Sequence, residues 1–234
     1  MTFSITGWCE KTGQLGIAIS TKVIAVGARC TFAKAHVGAI ASQASSNPYL
    51  GIKGLQYLEA GLTAEEVLAK VLSEDSSPEY RTLSIVDSKG RVAAHTGANC
   101  VDWFGHQVGD HFVAAGNMLV GKETVEAMAK TFAELADTNL PERLLRALEA
   151  GQAAGGDKRG RQSAALLVVD EEDYPYLDLR VDEHEDPVKE LRRIWTLAEK
   201  ELLPRMALMP TKKNPAGIND RASMESIGLI NKDQ

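Results

Sequence analysis

Along the chain the apolar positions repeat with two periods, and the switches between them predict the order of elements. Alternation comes first: Phe3 and Ile5 predict a strand over Thr2 to Cys9, Lys11-Thr12-Gly13 reads as a turn, and Leu15 to Ser20 returns as the hairpin partner. Val23 to Val26 supplies another strand signal, and the Gly- and Ala-rich stretch Val37 to Ser42 one more, with side chains small enough to pack closely against a second layer. From Gly54 the period lengthens. Leu55, Leu58 and Leu62 fit one helical face, and Thr63 with Glu66 forms a capping box ahead of Val67, Leu68, Val71 and Leu72, so two helices in series are expected. Thr82 to Val86 and Val92 to His95 then flank Asp87-Ser88-Lys89-Gly90 as a second hairpin.

In the second half, His111 to Ala115 predicts a strand that breaks at Gly116-Asn117-Met118-Leu119 and leads into a helix carrying Val125, Met128, Ala129, Phe132 and Leu135. Asn139, with Glu142 three residues on, caps a further helix bearing Leu144, Leu145 and Leu148. A glycine-rich charged segment, Gly151 to Gly160, precedes the continuous apolar run Ala164 to Val169, which suits a strand buried on both faces. Leu177, Leu179 and Val181 alternate with Asp178 and Arg180 and predict a half-exposed strand. Asp186-Pro187 starts a last helix through Val188, Leu191, Ile194, Trp195 and Leu202, with Pro204 as its stop. The order lacks regular strand-helix-strand alternation and predicts an α+β fold of antiparallel sheets faced by helix pairs. One domain over residues 1–205 is expected, followed by a tail, 206–234, that is extended or docks on the domain or a neighbouring subunit.

The 234 residues, 44% hydrophobic and 25% charged, are enough for a full core and exclude collagen-like and disordered classes. A net charge of -6 repels phosphate backbones and anionic lipid, so neither nucleic acid nor a membrane surface is an expected partner. No apolar run approaches the roughly 20 residues of a membrane helix, and the start, MTFSITGWCEKTG, has neither the basic nor the apolar region of a secretory signal. Cytoplasmic residence is expected. Cys9, Cys30 and Cys100 are odd in number and far apart, which suggests neither a disulfide framework nor a zinc site.

Thr2 carries the most self-contained chemistry. Removal of Met1 leaves a hydroxyl and an α-amine on one residue, and an amine of pKa about 7.7 to 8.0 takes the hydroxyl proton near working pH. Asn117 is a candidate oxyanion donor or else part of a Gly-Asn turn. Ser45, Ser46 and Asn47 bind substrate polar groups or build an Asx turn before Pro48. Asp157, Arg159 and Arg161 clamp a substrate's charged groups or pair among themselves; their glycine-rich segment lacks the phosphate-loop order. His95, His106 and His111, with Asp102 and Asp110, have no metal-ligand spacing, so no metal and no cofactor are expected, and Trp103 and Phe104 line a pocket or pack in the core.

Thr2-Phe3-Ser4-Ile5, Ala41-Ser42-Gln43-Ala44 with Asn47-Pro48 and Gly51, Gly105-His106, Gly116-Asn117-Met118-Leu119, and Gly151 to Gly156 with Asp157 through Ala164 together resemble the DUF1028 family over residues 2–205. That family is assigned to the N-terminal nucleophile (Ntn) hydrolases. The resemblance implies a four-layer αββα sandwich and cleavage of an amide bond through an acyl-enzyme on Thr2. It leads to an amidohydrolase acting on a small acidic substrate, with Arg161 orienting it. The alternatives are acyl or glutamyl transfer, and a non-catalytic binding or assembly protein on the same fold, with Met1 retained. The long tail admits a homodimer.

Overall fold

A computed structural model describes residues 2–228. The chain forms two compact units, residues 1–191 and 192–234. The first contains ten strands: Thr2–Trp8 (β1), Leu15–Thr21 (β2), Thr31–Lys34 (β3), Gly38–Ala44 (β4), Arg81–Asp87 (β5), Val92–Thr96 (β6), Trp103–Gly109 (β7), Phe112–Leu119 (β8), Ser163–Val169 (β9) and Leu177–Val181 (β10). Its helices are the single turn Gly27–Cys30 (α1), then Pro48–Glu59 (α2), Ala64–Ser73 (α3), Glu123–Glu134 (α4) and Leu140–Ala153 (α5). Pro187–Leu197 (α6) begins in this unit and ends in the second, which also holds Leu203–Met206 (α7) and Arg221–Ser226 (α8).

Two antiparallel sheets result, one in the order β10-β9-β2-β1-β8-β7 and one in the order β3-β4-β5-β6. Alternation along each strand decides what lies on either face. Leu15, Ile17 and Ile19 of β2 meet Ala39 and Ala41 of β4 and Val86 of β5, so small residues on one sheet receive large ones from the other. On the outer face of the smaller sheet Ile40, Leu83 and Ile85 pack against Leu50, Leu58, Val67 and Val71 of α2 and α3. On the outer face of the larger sheet α4 and α5 cover β1, β2 and β8, with Phe132 against Gly7 and Leu144 against Gly16. The first unit is therefore a four-layer αββα sandwich, as expected.

The capping box at α3 forms in full: Thr63 Oγ1 accepts from the Glu66 N–H at 3.2 Å, and Glu66 Oε2 accepts from the Thr63 N–H at 2.8 Å. Asn139 likewise accepts from the Glu142 N–H at 3.0 Å to start α5. Four expectations are corrected. Val23 to Val26 is a turn leading into α1: Val23 and Ile24 are exposed and Val26 alone of its β-branched residues is buried, so the segment has no alternating buried face. The helix expected from Gly54 begins at Pro48, because Asn47 caps it and Pro48 needs no N–H donor there. Strand β8 continues through Gly116 to Leu119 where a break was expected, since Gly116 and Asn117 pair with Phe3 and Thr2. The expected turn at Gly116-Asn117 is therefore absent. Among the described residues, no helix is long and apolar enough to cross a membrane.

Candidate active site

Thr2 begins β1, the strand flanked by β2 and β8 in the larger sheet. Phe3 and Ile5 point to the helices: a Cβ on Gly151 would lie 3.3 Å from Phe3. By alternation Thr2, Ser4 and Thr6 face the smaller sheet. Asn117 stands directly opposite Thr2 on β8, and antiparallel partners project to the same side, so both side chains turn into the space between the sheets. On the other flank the Thr2 and Thr21 hydroxyls are 3.1 Å apart. Thr2 is 6% exposed and Asn117 1%.

Polarity here is without charge, and much of it is unsatisfied. The Asn117 side-chain amide nitrogen finds no hydrogen-bond partner among the described residues, and neither amide atom of Gln43 on β4 finds one. Leaving a buried donor unpaired costs about 1–3 kcal/mol, a cost natural structures concentrate where the group serves something beyond folding. A cavity of about 160 Å³ lies beside Asn117, lined by Ala44, Ser45, Tyr80, Cys100 and Met118. Two of these residues are strained: Ala44 has φ of 73° and Met118 of 53°, in the left-handed region that non-glycine residues seldom occupy. Backbone held there is stored strain of the kind found at ligand sites. Met118 is held by its N–H donating to Val101 O at 3.1 Å and its carbonyl accepting from Lys158 N at 3.3 Å.

The remaining expected residues fall into distinct places. Asp157 is buried and its carboxylate is fully engaged: it accepts from the Lys22 N–H at 2.8 Å, the Arg159 N–H at 2.9 Å and the Arg159 guanidinium at 3.2 Å. It thereby ties the segment after α5 to the end of β2, one residue beyond Thr21. Arg161 lies beside this junction, where Gln162 N–H donates to Thr21 O at 3.0 Å, and its guanidinium meets Asp186 at 3.0 Å. Asn47 caps α2, and Ser46 lies near Cys30, whose thiol burial pushes up to about 11. Ser45 is fixed through its carbonyl, which accepts from Arg81 at 2.5 Å, and Arg81 in turn holds the Asp75 carboxyl below its ordinary range. Gln43, Thr21 and Cys100 also belong to this region. Gln43 lay within the resembling segment Ala41 to Ala44, and nothing in the local sequence marks the other two.

The histidines bind the fold together. His95 Nε2 lies 2.9 Å from Pro78 O and His106 Nδ1 2.8 Å from Thr96 Oγ1, across the β6-β7 junction. Burial, and then the neighbouring His95, hold the His106 pKa below the ordinary imidazole value. Among the described residues no group of three or more His, Cys, Asp or Glu is placed to hold a metal ion. Met1, whose removal the chemistry of Thr2 requires, lies outside the described residues.

Comparison with known proteins adds a family and a fold relative. A family model described as "Family of unknown function (DUF1028)" matches residues 2–191. The crystal structure of a protein from Silicibacter pomeroyi assigned to that family superposes with a TM-score of 0.85 at 32% identity, covering 94% of this chain and 99% of that one. Anbu, an ancestral beta-subunit from Yersinia bercovieri, reaches a TM-score of 0.37 at 11% identity over 89% of this chain and 98% of that one, too slight a likeness to support an argument. No curated protein matches the chain.

Proposed function

The chain belongs to the DUF1028 family, which carries no assigned activity, and we propose from its own residues that it is an amidohydrolase of the N-terminal nucleophile type. The observation that carries this reading is the pairing of Thr2 with Asn117 across β1 and β8, with the Asn117 amide donor buried and unpartnered. Once Met1 is removed, the Thr2 amine takes the proton of its own hydroxyl as Oγ1 attacks an amide carbonyl. The carbonyl oxygen gains the negative charge, and a donor already aimed into the inter-sheet space needs no reorganisation to receive it. Collapse breaks the C–N bond, the amine passes the proton to the leaving nitrogen, and an ester on Thr2 remains. Water, deprotonated by the same amine, hydrolyses that ester and restores the hydroxyl.

Arg161, two-fifths exposed and next to the strand junction that carries Thr21, suits the orienting of an acidic substrate. A transferase reading shares every step up to the ester, which an acceptor amine then takes in place of water. The non-catalytic binding reading draws its support from the near-complete enclosure of Thr2. Turnover of a panel of small amides tests all three. Thr2→Ala is expected to fold and lose at least a thousandfold in rate, while Thr2→Ser retains measurable turnover. Unchanged turnover in Thr2→Ala removes the nucleophile assignment, and amide products formed with added amines identify transfer.

A further inference from the structure

A second cavity, about 490 Å³, lies at the other end of β1, where Trp8, Phe112 and Ala129 form part of its wall. Arg143 of α5 lines it and is 9% exposed. Its Nε donates to Phe132 O at 2.6 Å and its guanidinium stacks 3.7 Å from the Phe132 ring centroid, which together fix its plane. Beyond these contacts it has no partner: no carboxylate among the described residues lies within ion-pair distance, and its two terminal nitrogens donate to nothing there. An arginine stays charged at any physiological pH. Burying that charge without a counter-ion is costly, and its interactions are strengthened by the low dielectric around it.

The acidic groups of the cavity do not supply the missing charge. Asp137 is spent on Lys11 at 2.6 Å, and its side chain is almost wholly in water. Asp110 is likewise solvent-exposed beside His111, and Glu10 is exposed at the rim. The buried charge is therefore a single cation in a wall that combines apolar residues such as Phe112 and Ala129 with solvent-exposed charged ones, of which Asp110 acts on it from beyond ion-pair distance. We infer that this cavity binds a small monocarboxylate with an apolar body, its carboxylate taken in fork geometry by the terminal nitrogens of Arg143 and its body against Phe112, Ala129 and Ala133. Its volume lies in the range of small-molecule sites, and a bidentate guanidinium-carboxylate pair is the partner that two parallel donors prefer. The inference does not depend on the chemistry assigned to Thr2.

Calorimetric titration of the full chain with para-bromobenzoate, and with para-bromobenzamide as the uncharged control, tests it. Saturable benzoate binding is expected, weakened at least tenfold by Arg143→Met, with the amide bound equally weakly by both proteins. Absent benzoate binding, or binding unchanged by Arg143→Met, overturns the site. Should Arg143→Met fail to fold, wild-type crystals soaked in para-bromobenzoate decide. Anomalous bromine signal in this cavity with the carboxylate on Arg143 supports the inference, and signal elsewhere or none contradicts it.

Discussion

The two ends of β1 solve opposite problems with the same strand. Over six residues, about 20 Å at ~3.3 Å per residue, the chain passes from Thr2, among neutral polar groups between the sheets, to Trp8, beside a cavity that holds a buried cation under α4 and α5. At the Thr2 end the buried or partly buried charges are answered: Asp157 by the Lys22 backbone N–H and the Arg159 side chain, Arg161 by Asp186, Arg81 by Asp75. What stays unanswered there is neutral: the Asn117 amide nitrogen and both amide atoms of Gln43. At the Trp8 end the unanswered charge is the Arg143 guanidinium, whose Nε alone has a partner among the described residues. A site that stabilises charge only while a reaction proceeds is better served by preorganised dipoles, whereas a site that holds a charged ligand at rest needs the permanent opposite charge.

Several substitutions break or sharpen this contrast. The largest effect belongs to Asn117→Ala, which removes the proposed oxyanion donor: turnover should fall by roughly 10²–10³, about 2.7–4 kcal/mol in the barrier, while urea denaturation shows no loss of stability, because the amide leaves no partner behind. A large stability loss with normal residual activity would make Asn117 a packing residue instead. Asp157→Ala acts through the fold. It strands the Lys22 N–H, for about 1–3 kcal/mol in urea, while Arg159, more than a third exposed, loses its carboxylate at little further cost. Turnover should fall with it, by less than in Asn117→Ala, as the β2 end that carries Thr21 loosens.

At the other end, Gly109→Ala puts a Cβ 2.1 Å from the Phe112 ring and should cost about 1–3 kcal/mol by overpacking, with benzoate binding weakened as Phe112 shifts. Acid sensitivity separates the Thr2 end further. Asp75 has its carboxyl held below the ordinary range by Arg81, so its stabilisation is fully present above the unfolded value of about 3.9 and fades as the pH drops through the lower folded value. Asp75→Asn should flatten the stability-pH curve in that window and nowhere else. Thr63→Ala, remote from both ends, should cost about 1 kcal/mol through the lost cap of α3 and leave both turnover and benzoate binding alone.

What the sequence made legible was local. Both N-caps, the hairpin joining β1 to β2 and the one joining β5 to β6, and the helical stripes of α3, α4 and α5 are written within a few residues, and all are present. Strand β7 went unread because Gln107 and Val108, exposed at a sheet edge, show no alternation of burial. Strand β3 is only four half-buried residues long. At the candidate site, Thr2 was legible from its position, but its partnership with Asn117 depends on a register between strands over a hundred residues apart. Asp157 and Arg159 read as ligand groups because their charges cluster in a glycine-rich segment. That Lys22 donates to Asp157 from the far side of the sequence is a fact of tertiary structure. Nothing in the local sequence marks Arg143, and only the packing of α4 against α5 shows it to be buried.

The most direct test of the nucleophile is the intact mass of the untagged protein before and after exposure to an amide-mimicking electrophile. The account predicts a chain lacking Met1 that gains one adduct, mapped to Thr2 and absent from Thr2→Ala. A chain that keeps Met1 and gains none, or one whose adduct persists in Thr2→Ala, contradicts it.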